Sequence, residues 1–166
     1  MRPMSHPNVT AVQHALDAAD ARDSAGAGCQ VIELDDGVHT AVAAAQALGV
    51  EVGQIANSLI FEVGGEPLLV LTSGRHRVDT AKVAADLGVP KLHRASPEFV
   101  REHTGQPIGG VAPLGHPKPV RTLIDTALAE YDQVWAAGGV PRAVFPITYP
   151  ELLRVTSATP ARVADV

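Results

Sequence analysis

Residues 55–72 read Ile55-Ala-Asn-Ser-Leu-Ile-Phe-Glu-Val63, then Gly64-Gly65, Glu66 and Pro67-Leu-Leu-Val-Leu-Thr72. Both the first run and the last are rich in aliphatic residues, and the first also carries Phe61. The paired glycines between them suit a tight turn whose backbone must enter positive φ. The reading is a hairpin, with strands at Ile55–Val63 and Pro67–Thr72. Upstream, Thr40 is an N-cap for a helix over Ala41–Leu48, and Gly49 follows where a left-handed residue ends a helix. Downstream, Asp79 caps a helix over Thr80–Leu87 that stops at Gly88. Ser96-Pro97 opens a short helix through His103, with proline in the first turn.

Further outward the signals are of the same kind. A first helix is expected over about Val9–Arg22, broken by Ser24-Ala-Gly-Ala-Gly28 and followed by a strand over Cys29–Leu34 and a turn at Asp35-Asp-Gly37. Strands are expected at Val120–Ile124, Gln133–Ala137 and Ala143–Ile147, with a short helix over Asp125–Glu130. Thr148-Tyr-Pro-Glu151 reads as a capping box starting the last helix, and Arg162–Val166 as a terminal strand. Strands and helices are intermixed without strict alternation. The expectation is therefore an α/β mixed (α+β) fold, a mixed barrel-like sheet with helices packed outside.

Composition bounds what such a chain can be. Its 166 residues fit one domain, 1–166, and 46% hydrophobic with 19% charged residues supports a sizeable core. Cys29 is the only cysteine, which excludes an intrachain disulfide and a cysteine-rich zinc cluster. Its apolar neighbours point to a small core residue. No apolar run reaches the ~18–20 residues that span a bilayer, and Met1–Asn8 lacks a secretory pattern. A cytoplasmic protein is expected. The net charge of −5 argues against a general nucleic-acid coat and against a DNA partner. However, Arg75–Arg121 holds eight of the 13 basic residues and four of the 18 acidic ones, so it carries +4 and the rest −9. That is either a solvated face or a local anion-facing patch.

Standard catalytic motifs are absent: no Gly-x-Ser-x-Gly, no His-Glu-x-x-His, no Walker loop. The histidines lack metal-ligand spacing, so no metal is expected. Gly26-Ala-Gly28 precedes a strand instead of following one and is not a dinucleotide fingerprint. What remains is glycine-rich backbone. Thr104–Pro119 carries four glycines and four prolines, long for a structureless connection. Gly109-Gly-Val-Ala-Pro113 and Ala137-Gly-Gly139 are either ordinary turns or segments that let a ligand approach main-chain N–H groups.

The order of the segments resembles the YbaK-like family, also called the prolyl-tRNA-synthetase-associated or editing-insertion domain. The resemblance is carried by Thr40-Ala-Val-Ala-Ala-Ala-Gln-Ala-Leu-Gly49, Gln54-Ile-Ala-Asn-Ser-Leu-Ile-Phe61, Arg77-Val-Asp-Thr-Ala-Lys82 and Ala95-Ser-Pro-Glu98. Most specific are Thr104-Gly-Gln-Pro-Ile-Gly-Gly-Val-Ala-Pro-Leu-Gly115, which is similar to the family's Gly-x-x-x-Pro loop, and Ala137-Gly-Gly139. It covers about 31–166.

The resemblance implies a freestanding aminoacyl-tRNA deacylase that removes a small amino acid wrongly attached to tRNA for proline. It implies no cofactor. The partner is the aminoacyl-tRNA acceptor end, with prolyl-tRNA synthetase as a possible second. Gly109, Gly110, Gly138 and Gly139, together with Asn57, would form the catalytic set. Val111, Ala112, Pro113 and Thr40 would contact substrate. Many members carry lysine where this chain has Asn57, so Arg75, His76, Arg77 and His116 are the candidates for the missing positive charge. The alternative is a non-catalytic module that keeps the fold and an aminoacyl-tRNA or nucleotide pocket. An aminoacyl ester is already reactive, so placing water and holding the oxyanion on fixed N–H groups suffices without a serine nucleophile.

Overall fold

The structure is a computed structural model that describes residues 6–35 and 37–164. Helix α1 spans Pro7–Ala18, shorter than expected. Asp20 turns into positive φ (51°), and the Ala21 N–H reaches back to the Leu16 carbonyl, so the chain reverses before the glycines. Strand β1 is only Ile32–Glu33. The expected strand over Cys29–Leu34 shrinks because its donors go elsewhere: Cys29 N–H to the Ala21 carbonyl, Val31 N–H to Gln13 Oε1. The Asp35–Gly37 turn is closed by Val38 N–H on the Asp35 carbonyl, and Asp36 lies outside the described residues.

Helix α2, Ala41–Leu48, begins at Thr40, whose Oγ1 accepts from Ala43 N–H, and ends at left-handed Gly49. A 3-10 turn, Val52–Gln54, leads into the hairpin, β2 (Ile55–Val63) and β3 (Glu66–Ser73). Helix α3 (Thr80–Leu87) is capped by Asp79, and α4 (Pro97–Thr104) by Ser96. Between them lies a two-residue strand, β4 (His93–Arg94), that no sequence signal announced. Strand β5 (Arg121–Asp125), a 3-10 turn over Thr126–Glu130, β6 (Val134–Ala137) and β7 (Ala143–Ile147) follow. Helix α5 (Tyr149–Thr156) opens with Thr148 Oγ1 accepting from Glu151 N–H. The Glu151 carboxylate does not complete the box; it accepts from Arg22 N–H and pairs with Arg154. The terminal strand β8 is Thr159–Ala161, upstream of the expected 162–166, of which 165–166 lie outside the described residues.

The eight strands form one mixed sheet in the order β1-β7-β6-β2-β3-β5-β8, with β4 beside β2. The hairpin is its spine, pairing from Ala56↔Ser73 to Val63↔Glu66. Along β3 the side chains alternate between two cores. Leu69 and Leu71 join Val12 and Leu16 of α1; Leu68 and Val70 join Val83 and Ala84 of α3. Both faces of this strand are covered, so its apolar run is continuous. Cys29 is 1% exposed inside the larger core. Burial pushes its thiol up to about 11, helped by the charges of Asp23 and Glu151. Among the described residues no helix is long and apolar enough to cross a membrane.

Candidate active site at the open edge of the hairpin

The site begins with a gap in the sheet. On the side away from β3, strand β2 pairs with β6 only at Ile55 and Ala56, and with β4 only at Phe61 and Glu62. Residues 57–60 between them have no strand partner on that side. Strand geometry alternates main-chain groups between the two neighbours. The Ile55 carbonyl accepts from Gly74 N–H on the β3 side. By alternation, Ser58 and Ile60 turn their N–H and C=O groups into the gap.

Two cavities flank this edge and share Asn57, Ser58 and Gly109. The larger, about 560 Å³, is lined mainly by Leu59, Ile60, Phe61, Ile108 and Val111, with Arg77 and Arg94 as its charged groups. No acidic side chain lines it, and neither arginine is ion-paired among the described residues. The smaller, about 50 Å³, is lined by Thr40, Ala41 and Ala44 at the start of α2 and by Trp135 to Ala137 of β6.

The loop over residues 105–119 closes the site from above. Gln106, 3% exposed, holds it from within: its Oε1 accepts from Ala112 N–H at 2.6 Å, and its own N–H donates to Thr104 Oγ1. Gly109 has φ +89°, and a Cβ there would meet nothing within 4 Å. Gly110 is different. Its Cβ would lie 2.5 Å from the Val140 carbonyl carbon and 2.6 Å from Pro141 N, so its missing side chain lets the loop seat on residues 140–141. Val111 and Ala112 are buried in the larger core. Pro113 and His116 line a separate groove against α5 and β8. The His116 ring donates from Nε2 to the Ala112 carbonyl at 2.7 Å. Burial lowers its pKa, and that carbonyl partly restores it.

The other expected residues are distributed as follows. Arg77 and Thr40 line the two cavities. Arg75 points away, paired with Glu130 and bonded to the Tyr131 hydroxyl, and its pKa is raised chiefly by the bond to Glu130. His76 also points away, its Nδ1 2.9 Å from the buried Asp125 carboxylate. Gly138 and Gly139 line neither cavity. Gly138 packs against Val31 and Ala143 and donates its N–H to the Ala143 carbonyl at 2.7 Å. The Gly139 carbonyl accepts from Asn8 Nδ2 on α1. Among main-chain donors of the loop, Gly110 N–H is spent on Pro107 and Ala112 N–H on Gln106. Among the described residues nothing accepts from Gly109 or Val111 N–H.

Ser58, Arg94, Ile108 and Trp135 belong to the cavities but were not singled out by sequence. Arg94 lay in the basic segment; Ser58 and Trp135 looked like ordinary strand residues. Among the described residues no three His, Cys, Asp or Glu side chains converge so as to hold a metal ion.

Comparisons with known proteins place the chain in a family. Residues 35–155 match the aminoacyl-tRNA editing domain, and the chain belongs to that family. It is 32% identical over 123 residues to the uncharacterized protein YwhH of Bacillus subtilis strain 168, covering 74% of this chain and 78% of that one. It is 36% identical over 115 residues to the proline–tRNA ligase of Maridesulfovibrio salexigens, covering 68% of this chain and 19% of the ligase. The chain thus spans about a fifth of that ligase. A crystal structure described as that of a candidate trans-editing enzyme for prolyl tRNA synthetase superposes with a TM-score of 0.88 at 42% identity. It covers 98% of this chain and all of that one.

Proposed function

We propose that this chain is a trans-editing deacylase that hydrolyses the ester of a mischarged tRNA, namely tRNA for proline bearing a small amino acid. The observation that carries the reading is the pair of unequal cavities meeting at Asn57, Ser58 and Gly109. The larger falls within the ~300–1,000 Å³ usual for small-molecule sites, and it suits the terminal adenosine, with Arg77 and Arg94 beside the phosphates. The smaller admits only a short side chain. The ester carbonyl would lie between them, under Gly109.

Hydrolysis then needs little from side chains. A water oxygen adds to the ester carbonyl carbon, and the charge that develops on the carbonyl oxygen is met by main-chain N–H groups. Ile108, Gly109 and Val111 of the loop line the larger cavity with N–H groups that have no acceptor among the described residues, and one such donor contributes ~10²–10³ in rate. The carbon–oxygen bond to the ribose breaks, and the proton from water ends on the ribose oxygen. Gly110, Gly138 and Gly139 serve by seating the loop and the β6–β7 turn. Editing answers a limit of recognition, since one methylene separates amino acids by only ~1–3 kcal/mol.

Asn57 favours a second reading, a module that binds the aminoacyl end without hydrolysing it, because asparagine offers phosphate a hydrogen bond but no charge. Incubating the purified protein with a panel of mischarged tRNAs and measuring ester loss separates the two. Loss of a small amino acid from tRNA for proline is expected. Tight binding with no ester loss on any substrate would leave the binding module.

A further inference from the structure

Among the described residues two buried side-chain polar atoms lack a hydrogen-bond partner, the Ser58 hydroxyl and the Trp135 indole N–H. Both residues line the smaller cavity, and Ser58 is 9% exposed. Folded proteins rarely leave such atoms unsatisfied, because losing water without gaining a partner is unfavourable. Here the two residues meet at one small space, and Ser58 also lines the larger cavity. The rest of its wall combines Ala41, Ala44, Ile55, Ala136 and Val144 with the polar residues His39, Thr40 and Asn57, and it includes no lysine, arginine, aspartate or glutamate.

The donor inventory narrows the ligand. An indole N–H can only donate, whereas a serine hydroxyl donates and accepts. Among amino-acid side chains the smallest group that can satisfy both is a hydroxyl: its oxygen accepts from Trp135 Nε1 and shares a hydrogen bond with Ser58 Oγ. A methyl group would fill space and leave both atoms unpaired. An ammonium group would enter without an acidic side chain beside it, and a carboxylate without a lysine or arginine. At about 50 Å³ the cavity has room for a group of a few atoms.

Building on the deacylase reading, we infer that the smaller cavity takes the side chain of a hydroxyl-bearing amino acid of serine size. The favoured substrate is then a seryl ester over an alanyl one, although alanine is smaller and would fit. A site built around a hydroxyl discriminates against the analogue lacking it, because its own buried polar groups are left unpaired.

The test uses the full chain and tRNA for proline charged with serine or with alanine, comparing kcat/KM for ester loss. One net hydrogen bond corresponds to a seryl preference on the order of tenfold. Trp135→Phe and Ser58→Ala should each shrink that ratio; Ser58→Ala removes a single oxygen and guards against a folding defect in the tryptophan variant. Alanyl ester lost as fast as seryl ester would overturn the inference while leaving the deacylase reading intact. A seryl preference that survives in both variants would also overturn it, since the two orphan atoms would not be its source. If no ester is hydrolysed, the deacylase reading fails. The cavity is then read by calorimetry with non-hydrolysable 3′-amide analogues of seryl- and alanyl-adenosine. Tighter binding of the seryl analogue supports the inference, and equal or undetectable binding of the two overturns it.

Discussion

Asn57 and Ser58 are the β2 residues that line both cavities, yet Asn57 brings no charge. Asn57→Lys should strengthen binding of an aminoacyl-tRNA by ~1.5–3 kcal/mol if the new ammonium meets a phosphate oxygen. Asn57→Ala should weaken it or slow hydrolysis. Single-turnover rates and binding curves on the three proteins would show this; three equal rates and affinities would remove Asn57 from the site. The neighbouring glycines offer a sharper contrast. Gly109→Ala meets open space and should cost only the ~1–2 kcal/mol of a side chain in left-handed backbone, yet it should slow catalysis by turning the N–H donor. Gly110→Ala drives a methyl into the backbone at Val140 and Pro141, and should cost ~1–3 kcal/mol or more of stability. Denaturant melts beside turnover would separate them. Equal stability losses would mean that the loop does not seat as described.

At the scale of elements, the local signals that worked were those with a mechanism inside one segment. Thr40, Asp79, Ser96 and Thr148 all cap the helices they announced, and Gly49 and Gly88 end theirs in the left-handed conformation. What stayed hidden depended on partners distant in sequence. Strand β4 exists because Arg94 and His93 meet Phe61 and Glu62 across the chain, and β1 is short because Gln13 of α1 captures the Val31 N–H. The proposed site was legible in part for the same reason. Gly109 and Asn57 could be found from the wording of two motifs, but the sheet gap that joins them is a matter of where β6 and β4 stop. Gln106 shows the same limit: nothing in its neighbours reveals that one buried amide pins the loop. Gln106→Ala should lose ~1–3 kcal/mol, the cost of orphaning the buried Ala112 N–H, and should lower turnover more than Gly109→Ala does. Thermal melts and ester-loss rates would check it; a stability within a few tenths of wild type would not fit.

Taken over the whole molecule, an acidic protein offers one short basic approach to its cleft. Arg77 and Arg94 face the larger cavity, while Arg75 is occupied by Glu130 and His76 by Asp125. Each phosphate contact on single-stranded nucleic acid contributes ~0.7 to the slope of log affinity against log salt. Arg77→Ala should therefore flatten the slope by about that amount, and Arg75→Ala should leave it unchanged. Equal effects from both would show that the two arginines act as a general field. The lone thiol of the chain has a consequence of a different kind. Cys29 sits 1% exposed in the core with its pKa pushed up to about 11. At pH 8 only about one thiol in a thousand would be ionised, and a bulky reagent cannot reach it. Alkylation of the native protein must wait for the core to open. A maleimide or disulfide dye would then count opening events, one label per molecule, with no engineered probe. In the slow-labelling limit its rate should follow the global unfolding equilibrium across a denaturant series. Rapid labelling without denaturant would instead expose a local breach beside α1.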